Sequence, residues 1–501
     1  MNAAAHYQEG LRLSAKGRHA EAISRFEAAL ATDPADARVL FALGNSARVL
    51  GLPKVAEEFY RRVLAAEPTR IEALVNLANV LRGNGQFEAA RALIEPALSR
   101  NPESAELWLT LGSIHREMGN GFEAKAHYRE ALKFKPDYAA ALGNLADLLA
   151  DDGETDEALS LYDRVLKREP DNAQARLNRS ILHLSNGNLK DGWRDYAARL
   201  KIPGKAPIPD HRLPKWAGAT LKRTRLLVTA EQGVGDELMF ASMIPDLAAR
   251  AAREGGSVIL ECEKRLVSLF ARSFANVTVK PSQMESKGGI TTSHYGWLKA
   301  AGGANAAVEI GSLPRWLRGE ISAFPNPHAY LIADPQERAH WKNLFGSATG
   351  ICWRSGKTGG ARNLQYAPLE AWAAFIRDVP GHIVSVQYDA NPDEIATLQA
   401  LSGREIIVPQ GVDQKQELDR ACALLSALDA VVSAPTAVSW LAAGTGVPTY
   451  KILYDKSWTS FGEDYEPFAP SCRCMLPKRA GDWADVFANT FAAIRRQRAS
   501  A

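Results

Sequence analysis

The stretch TAEQGVGDELMF, residues 229–240, places acidic residues and two glycines directly after an apolar run. Asp236 and Glu231 carry carboxylates that could accept a proton from a hydroxyl group, which is general-base chemistry. Gly233 and Gly235 lack side chains, so a substrate could approach the backbone N–H groups at the start of the next helix. A capping role for Asp236 explains the same pattern, because short acidic side chains are favoured at N-caps.

A second loop, WRSGKTGGAR at 353–362, follows another apolar run and spreads cations among glycines. Arg354 and Lys357 could bind the phosphates of a diphosphate or another anion. A solvated surface loop would have the same composition, so the pattern by itself leaves both interpretations open.

A third loop, SAPTAVS at 433–439, also connects a strand to a helix. The hydroxyls of Thr436 and Ser439 could hydrogen-bond a phosphate or a sugar at the start of that helix. Capping of the helix by Thr436 is an equal alternative.

Short β-rich runs alternate with helical stretches from residue 223 onward, which predicts parallel sheets covered by helices on both faces. We expect strands at 224–230, 257–261, 276–279, 329–333, 349–353, 382–387, 405–408, 429–433 and 448–453. One helix is expected over about 235–254. Because ligands bind outside the carboxyl ends of parallel strands, the three loops are the candidate site.

The first 200 residues repeat with a period of 34, and each period predicts two helices. The repeat is visible in Gly17, Gly51, Gly85, Gly119, Gly153 and Gly187, and in Pro34, Pro68, Pro102, Pro136 and Pro170. Trp108, Leu111 and Gly112 match the W-x-x-L-G start of the tetratricopeptide repeat, which this region resembles. That resemblance implies an all-α superhelix that docks a protein partner; a solenoid that only spaces or dimerises domains is the alternative.

The sixth repeat departs from the others, since Gly192 stands where they have alanine and Trp193 follows it. We expect it to end the stack. The proline-rich segment 201–222 predicts an extended linker, with Trp216 as a packing anchor on the next domain.

Bulk composition excludes several classes of protein. A net charge of +3 argues against nucleic-acid binding, and the chain shows neither a signal peptide nor an apolar run long enough to insert in a membrane. We therefore expect a cytoplasmic protein. Five irregularly spaced cysteines predict buried thiols rather than disulfides or a zinc site.

Four motifs taken together resemble a known family. They are E-Q-G-x-G-D-E-x-x-F-A at 231–241, W-R-S-G-K at 353–357, V-S-V-Q at 384–387 and S-x-x-T-A-V-S-W-L-A-A-G-T-G-V-P at 433–448. This set is similar to the bacterial glycosyltransferases related to the lipopolysaccharide heptosyltransferases, in the branch fused to tetratricopeptide repeats.

That resemblance implies a GT-B fold with two Rossmann-like domains and an inverting, metal-independent transferase that needs no cofactor beyond its nucleotide-sugar substrate. Asp236 would be the general base, with Glu231 as the alternative, and Gly233 and Gly235 would give the acceptor room. The donor contacts implied are Arg354, Lys357, Gln387, Thr436 and Ser439. The predicted domains are a solenoid at 1–200, a linker at 201–222, an acceptor-side domain at 223–345 and a nucleotide-sugar domain at 346–501. We also expect the last helix to cross back onto the first sheet.

Two departures change the expected substrate. Pro435 and Trp440 stand where heptosyltransferases have aspartate and histidine, so a donor other than ADP-heptose is indicated. Repeats that bind proteins favour a protein acceptor. Some members of the fused branch modify flagellin with nonulosonic sugars such as pseudaminic acid, and by analogy the acceptor here would be Ser or Thr hydroxyls of flagellin. A glycan or lipid-linked acceptor, and an inactive scaffold, are the alternatives.

Overall fold

The computed structural model describes residues 2–231, 233–324, 329–356 and 365–500. It divides into two compact units, Met1–Ala175 and Arg176–Ala501. The finer domain boundaries expected at residues 200, 222 and 345 stay predictions.

The described residues of the first unit form five helix pairs. These are α1 (Ala3–Ala15) with α2 (His19–Leu30), α3 (Ala37–Val49) with α4 (Pro53–Ala66), α5 (Ile71–Gly83) with α6 (Phe87–Arg100), α7 (Ala105–Glu117) with α8 (Gly121–Phe134), and α9 (Ala139–Asp151) with α10 (Thr155–Arg168). The two helices predicted for each period are therefore confirmed.

Small residues let the paired helices approach each other. Ala56 in α4 is fully buried, and the ring of Tyr60, four residues later, lies against Gly44 of α3. A Cβ on Gly44 would be only 2.7 Å from Tyr60 Cε1, so the ring occupies the space that a side chain would need. Gly51, after α3, has φ of 71°, a backbone conformation that glycine adopts at low cost and that ends the helix.

The sixth pair, α11 (Ala173–Ser185) and α12 (Leu189–Tyr196), ends in a single 3-10 turn at Ala197–Lys201. A Cβ on Gly192 would be 2.6 Å from Leu184 Cγ, which explains why glycine replaces the alanine of the other repeats. Trp193 is buried and donates a hydrogen bond from Nε1 to the carbonyl oxygen of Arg318 at 2.9 Å. Its ring also packs edge-on against Phe468.

Strands and helices alternate in the second unit. Its strands are β1 (Ile208–Pro209), β2 (Arg225–Thr229), β3 (Ser257–Cys262), β4 (Thr278–Pro281), β5 (Met284–Lys287), β6 (Ile290–Ser293), β7 (Ala306–Glu309), β8 (Ala348–Cys352), β9 (His382–Ser385), β10 (Ile406–Ile407), β11 (Ala430–Ser433), β12 (Thr449–Ile452) and β13 (Cys472–Met475). Its further helices are α13 (Val234–Ala241), α14 (Ile244–Glu254), α15 (Val267–Ser273), α16 (Pro314–Leu317), α17 (Pro335–Phe345), α18 (Leu369–Asp378), α19 (Pro392–Ser402), α20 (Leu418–Ser426), α21 (Ala437–Gly444) and α22 (Trp483–Ser500).

Two parallel sheets form the framework, as the alternation predicted. The first has the order β4-β3-β2-β7 and the second the order β10-β9-β8-β11-β12-β13. When the strands of each sheet are renumbered in chain order, starting from β8 in the second sheet, the second sheet has the order 3-2-1-4-5-6, which is that of doubly wound nucleotide-binding folds. The first sheet, renumbered from β2, has the order 3-2-1-4, which is the first part of the same pattern. In each sheet the strand order reverses beside the first strand, between β2 and β7 and between β8 and β11. We call these two places the switch points.

Several expectations about the elements were wrong. The helix expected over 235–254 is broken into α13 and α14, because Pro245 in the first turn of α14 has no N–H to continue α13. The strand expected at 329–333 does not form, since the N–H groups of Tyr330 and Leu331 both donate to the carbonyl oxygen of Gly444 instead. The alternating burial of Cys472 and Cys474 marks β13, which was missed.

Two further errors concern the linker and the last helix. Residues 208–209 of the expected linker form β1, which pairs with β6 in a small third sheet of order β1-β6-β5. Trp216 is buried against Trp316, as the anchor role predicted. Helix α22 packs on α18 and on β12 and β13 of the second sheet, rather than on the first sheet. Its apolar residues Val486, Phe487 and Ile494 fill the core there.

Candidate functional site

The loops at the two switch points meet through α13 and α21. A Cβ on Gly235 in α13 would lie 3.9 Å from the Cα of Ala437 and 3.9 Å from Cδ1 of Trp440 in α21. The N-terminal ends of both helices therefore lie beside each other, close to the carboxyl ends of the strands that precede them. Because both helix termini are positively polarised, this region favours an anionic ligand.

Asp236 lies in the first turn of α13, and the N-cap of the helix is Gly233. The N-cap alternative for Asp236 is therefore wrong, because the helix begins at Val234, earlier than expected. The backbone of Gly233 instead lies beside the carboxylate and lowers its pKa. Burial raises the pKa of Asp236 to about 6, and the charge of Glu231 raises it further, while the Gly233 backbone and Arg199 oppose the shift. A carboxylate with this pKa is ionised at pH 7 and still basic enough for proton transfer.

Glu231 is held more tightly than Asp236. Its Oε1 accepts hydrogen bonds from Arg199 Nη2 at 2.5 Å and from the N–H of Gly311 at 2.9 Å. Burial raises the pKa of Glu231, and the guanidinium of Arg199 opposes that change. A carboxylate paired in this way holds the loop in place and is less available as a base than Asp236.

Two more buried carboxylates lie near the same sheet edge. Burial raises the pKa of Glu237 to about 8 although its Oε2 accepts a hydrogen bond from the N–H of Glu263. Burial also raises the pKa of Glu261 to about 7, and its Oε2 accepts from Tyr295 Oη at 2.8 Å. Each holds its proton over much of the neutral range, because ionisation inside the protein is costly.

A cavity of about 330 Å³ opens at the switch point of the first sheet. Its polar lining consists of His211, Lys215, Thr229, Glu231, Ser293, Tyr295 and Glu309. Lys215 pairs with Glu309 at 2.9 Å, so the carboxylates in the lining are balanced by cations. The hydroxyl of Ser293 is buried without a hydrogen-bond partner among the described residues. The cavity is thus a recess that combines these polar groups with an apolar wall, at the place where an open parallel sheet binds its ligand.

The loop after β8 is organised by Arg354, whose N–H groups point to protein acceptors. Nε and Nη2 bind the two carboxylate oxygens of Glu394 at 2.7 and 2.8 Å, and Nη1 binds Asp389 Oδ1 at 3.1 Å. The remaining bonds go to the backbone oxygens of Asp389 and Ser355. These partners raise the pKa of Arg354. The predicted phosphate contact stays a prediction, and a phosphate would have to replace part of this network. Lys357 lies outside the described residues.

Gln387 braces the same loop. Its Oε1 accepts the N–H groups of Trp353 and Arg354 at 3.0 and 3.1 Å, and its Nε2 donates to the carbonyl oxygen of Arg354 and to Asp389. Because its side-chain amide both accepts and donates hydrogen bonds, Gln387 fixes the backbone after β8. Its predicted donor contact is untested.

Thr436 caps α21, since its side chain accepts a hydrogen bond from the N–H of Val438. The hydroxyl of Ser439 donates to the carbonyl oxygen of Thr436 at 2.7 Å and is fully buried. The capping alternative for Thr436 is therefore confirmed. Donor contacts by either residue stay predictions, and both residues orient the helix end that faces Gly235.

Trp440 is supported by a buried ion pair that the sequence did not indicate. The ammonium of Lys451 lies 4.0 Å from the centroid of the Trp440 ring and 2.5 Å from Glu466 Oε1. Thr459 donates a further hydrogen bond to the same carboxylate. Lys451 and Glu466 are both almost completely buried, so the ring of Trp440 rests on a charged network inside the core.

Neither a metal site nor a membrane span occurs within the described ranges. No three His, Cys, Asp or Glu side chains there group as metal ligands would. None of the helices in the described part of the chain has both the length and the hydropathy needed to cross a bilayer.

The six helix pairs at the N-terminal end of the chain match a known sequence family. Three family models, each described as tetratricopeptide repeat, match this region. One matches residues 7–71 and 144–207, the second matches 103–171 and the third matches 50–114. The N-terminal region is a tetratricopeptide-repeat superhelix. Tetratricopeptide repeats bind protein partners, and the repeat region here has the same paired helices and small interhelical contacts.

Among curated proteins, the chain is similar to Protein FlbA of Caulobacter vibrioides, with 33% identity over 325 residues. The match covers 63% of this chain, a longer stretch than 7–207, so it extends beyond the tetratricopeptide-repeat region. The chain spans about half, 54%, of the length of that relative.

Solved structures similar to part of this chain include the following two. A tetratricopeptide-repeat protein of Thermus thermophilus is 27% identical, and the match covers 36% of this chain and 99% of that one, with a TM-score of 0.33. The pilF protein of Pseudomonas aeruginosa is 24% identical, with 40% of this chain and 89% of that one covered and a TM-score of 0.34.

Proposed function

We propose that this chain is a glycosyltransferase with a GT-B fold, which transfers a sugar from a nucleotide-sugar donor to a hydroxyl group. The observation that carries the proposal is the meeting of Gly235 and Ala437, which brings the loops of two parallel sheets together beside Asp236. In this arrangement the second sheet binds the nucleotide and the first sheet approaches the acceptor. The resemblance of the sequence motifs to heptosyltransferases assigns the same roles.

Asp236 is the proposed general base. Its carboxylate takes the proton of the acceptor hydroxyl as that oxygen bonds to the anomeric carbon. The bond from the anomeric carbon to the phosphate oxygen breaks, and its electron pair leaves with the nucleotide phosphate. Attack from the face opposite the leaving group inverts the anomeric centre. The pKa of Asp236, raised by burial to about 6, suits this step at neutral pH.

Stabilisation of the leaving phosphate is assigned to the second sheet. The N-terminal end of α21, capped by Thr436, offers backbone N–H groups and a favourable helix dipole. Arg354 and Lys357 are the proposed cationic contacts. Arg354 would contribute by exchanging one of its present carboxylate partners for the phosphate.

We propose a protein as the acceptor, because the chain carries a tetratricopeptide-repeat superhelix. Within that region a cavity of about 770 Å³ is lined by several polar side chains, Arg48, Asn76, Asn79, Arg82 and Asn84, together with apolar residues. Amide and guanidinium groups can hydrogen-bond the backbone and acidic side chains of a polypeptide. The specific acceptor that the resemblance favours is flagellin. It would receive a nonulosonic sugar on Ser or Thr hydroxyls before export from the cytoplasm.

The decisive experiment is the intact mass of flagellin from strains with and without the gene. Loss of sugar-sized mass increments in the deletion strain, restored by wild type but not by Asp236→Ala, is the expected result. An unchanged flagellin mass would remove flagellin as the acceptor. Transfer to another protein or to a glycan would then be sought with the purified chain.

A scaffold without transferase activity is the second candidate. It is favoured by the network of protein acceptors around Arg354 and by Trp440 in place of the family's histidine. Titration calorimetry with UDP-, GDP- and CMP-linked sugars separates the candidates. Binding of any one of these donors supports the transferase, whereas a scaffold binds none of them.

A further inference from the structure

Arg199 lies in the turn that follows α12 and reaches the end of β2. Its side chain is almost fully buried, and Nη2 donates to Glu231 Oε1 at 2.5 Å and to Ser312 Oγ at 3.0 Å. Nη1 donates to the carbonyl oxygen of Tyr196 at 3.1 Å. One guanidinium therefore connects the sixth helix pair with the two segments that form the switch point of the first sheet.

The sixth helix pair holds Arg199 in place. The guanidinium carbon lies 4.5 Å from the centroid of the Tyr196 ring, and that ring is 5.6 Å from the ring of Trp458. Three residues earlier, Trp193 is anchored through its hydrogen bond to the backbone of Arg318. Because Trp193 and Tyr196 are buried, Arg199 cannot leave Glu231 without disturbing the core.

Gly311 closes the other side of Glu231. Its N–H donates to the same Oε1 atom at 2.9 Å. A Cβ on Gly311 would lie 2.6 Å from that oxygen and 3.1 Å from Arg199 Nη2, so the space holds the ion pair and no side chain. The carboxylate is thus clamped between a guanidinium and a backbone N–H.

We propose that Arg199 is a positioning residue for the transfer reaction. By fixing Glu231 it fixes the direction of the chain between the end of β2 and the start of α13, where Asp236 lies. The proposal rests on the proposed function and assigns the sixth helix pair to the transferase, where the sequence indicated only the end of the repeats.

The effect on catalysis follows from geometry. A general base must lie within hydrogen-bond reach of the proton it removes, and a displacement of about 1 Å can reduce the rate by about a hundredfold. Without Arg199, the Gly311 bond is the one hydrogen bond to Glu231 that remains among the described residues, and the segment that leads to Asp236 gains freedom. Nucleotide binding depends on the second sheet and is left intact.

The test uses the full chain as wild type, Arg199→Met, Arg199→Lys and the control Arg194→Met. Arg194 lies five residues earlier, pairs with Asp191 at 2.7 Å and lies 3.8 Å from the buried carboxylate of Asp195, so it matches Arg199 in type and in having a buried carboxylate neighbour without contacting Glu231. Hydrogen exchange followed by mass spectrometry reports the mobility of 229–237. Steady-state kinetics with whichever of the UDP-, GDP- and CMP-linked sugars supports transfer reports kcat and KM.

Arg199→Met is expected to speed exchange in 229–237 by at least about tenfold and to lower kcat by about tenfold to a hundredfold, with KM for the nucleotide sugar within about twofold. Arg199→Lys, which keeps the charge and one donor to Glu231, should lie between Arg199→Met and wild type in both measurements. Arg194→Met should match wild type.

Unchanged exchange in 229–237 of a folded Arg199→Met chain would overturn the proposal, as would a rise in KM with kcat unchanged. If Arg199→Met fails to fold, Arg199→Lys decides: wild-type exchange and kcat in that variant would overturn the proposal, and intermediate values support it. If the wild type transfers no sugar, the proposed function fails, and the exchange comparison alone still decides whether Arg199 holds this segment.

Discussion

A side chain on Gly235 would begin 3.9 Å from the Cα of Ala437, so the two helices that start at the two switch points meet at van der Waals distance. Gly233 and Gly235 both lie in the described part of the chain, and neither has a positive φ. What these positions provide is space beside Asp236 rather than an unusual backbone conformation. The proposed reaction depends on that space.

Gly235→Leu is expected to reduce transfer by at least about tenfold, because a branched side chain would press on α21 and fill the region between the helices. Gly235→Ala adds only one methyl group at ordinary contact distance and should keep activity within about threefold. Initial rates of the two variants provide the comparison. Equal rates in both would show that the substrate does not pass between Gly235 and Ala437.

Asp236→Asn should lower kcat by about a hundredfold to ten-thousandfold, as expected for loss of a general base, while donor affinity is retained. In the wild type the folded-state pKa of Asp236 is raised to about 6, so the base is ionised above that pH. The rate should therefore be constant above pH 6 to 7 and fall about tenfold per pH unit below 6. A pH–kcat profile without that acidic limb would assign the proton transfer to another group.

Glu237→Gln should stabilise the protein at pH 8 more than at pH 5. Burial raises the folded-state pKa of Glu237 to about 8, so its favourable contribution is complete below the unfolded pKa near 4.5 and is lost as pH rises towards 8. Gln keeps an oxygen for the N–H of Glu263 and carries no charge. The expected gain at pH 8 is about 1–3 kcal/mol, and thermal melts between pH 5 and 8.5 measure it. The exposed Glu88→Gln variant is the control and should show no such trend.

Lys451→Met should destabilise the second unit by about 3–5 kcal/mol, because it leaves the carboxylate of Glu466 buried without its cation. Adding Glu466→Gln removes that charge and keeps an acceptor for Thr459, so the double variant should recover at least half of the loss. Urea unfolding of both variants tests this. A double variant less stable than Lys451→Met would mean that the ion pair contributes through packing rather than charge.

Gly112→Ala should destabilise the tetratricopeptide-repeat region by about 1–3 kcal/mol, since its Cβ would be 2.6 Å from the ring of Tyr128. Gly143→Ala is the matched control. It lies inside α9 with open space around its Cα, so alanine there should stabilise by about 0.5–1 kcal/mol. Far-UV circular dichroism melts should move in opposite directions for the two variants.

The candidate site was predictable only in part. The loops that carry Asp236, Arg354 and Thr436 could be found from sequence, because each follows a β-rich run and the ends of parallel strands hold ligands. The residues that bind these side chains could not be found from sequence. The carboxylates that bind Arg354 come from residues 35 and 40 positions later, and no local pattern connects them to it.

Local sequence also gave the wrong prediction where a segment's backbone N–H groups bind a distant carbonyl instead of a neighbouring strand. Residues 329–333 have the composition of a strand, yet the N–H groups of Tyr330 and Leu331 bind the carbonyl of Gly444. The apolar residues of helix α22 do not by themselves specify a sheet, and in the structure the helix packs on α18 and the second sheet. Propensity specifies the type of an element more reliably than its place, because the place depends on distant surfaces.

The sequence by itself determined the features that repeat or alternate along the chain: the helix pairs with their 34-residue period, the two parallel sheets and the loops at the strand ends. These follow from short-range periodicity, which each segment carries without reference to the others. The tertiary structure alone decided that Arg199 holds Glu231, that Lys451 supports Trp440 and that Gly235 meets Ala437. No local pattern specifies these contacts. The first two exist because buried charges need partners inside the packed chain, and the third because the packing of α13 against α21 leaves no more space there.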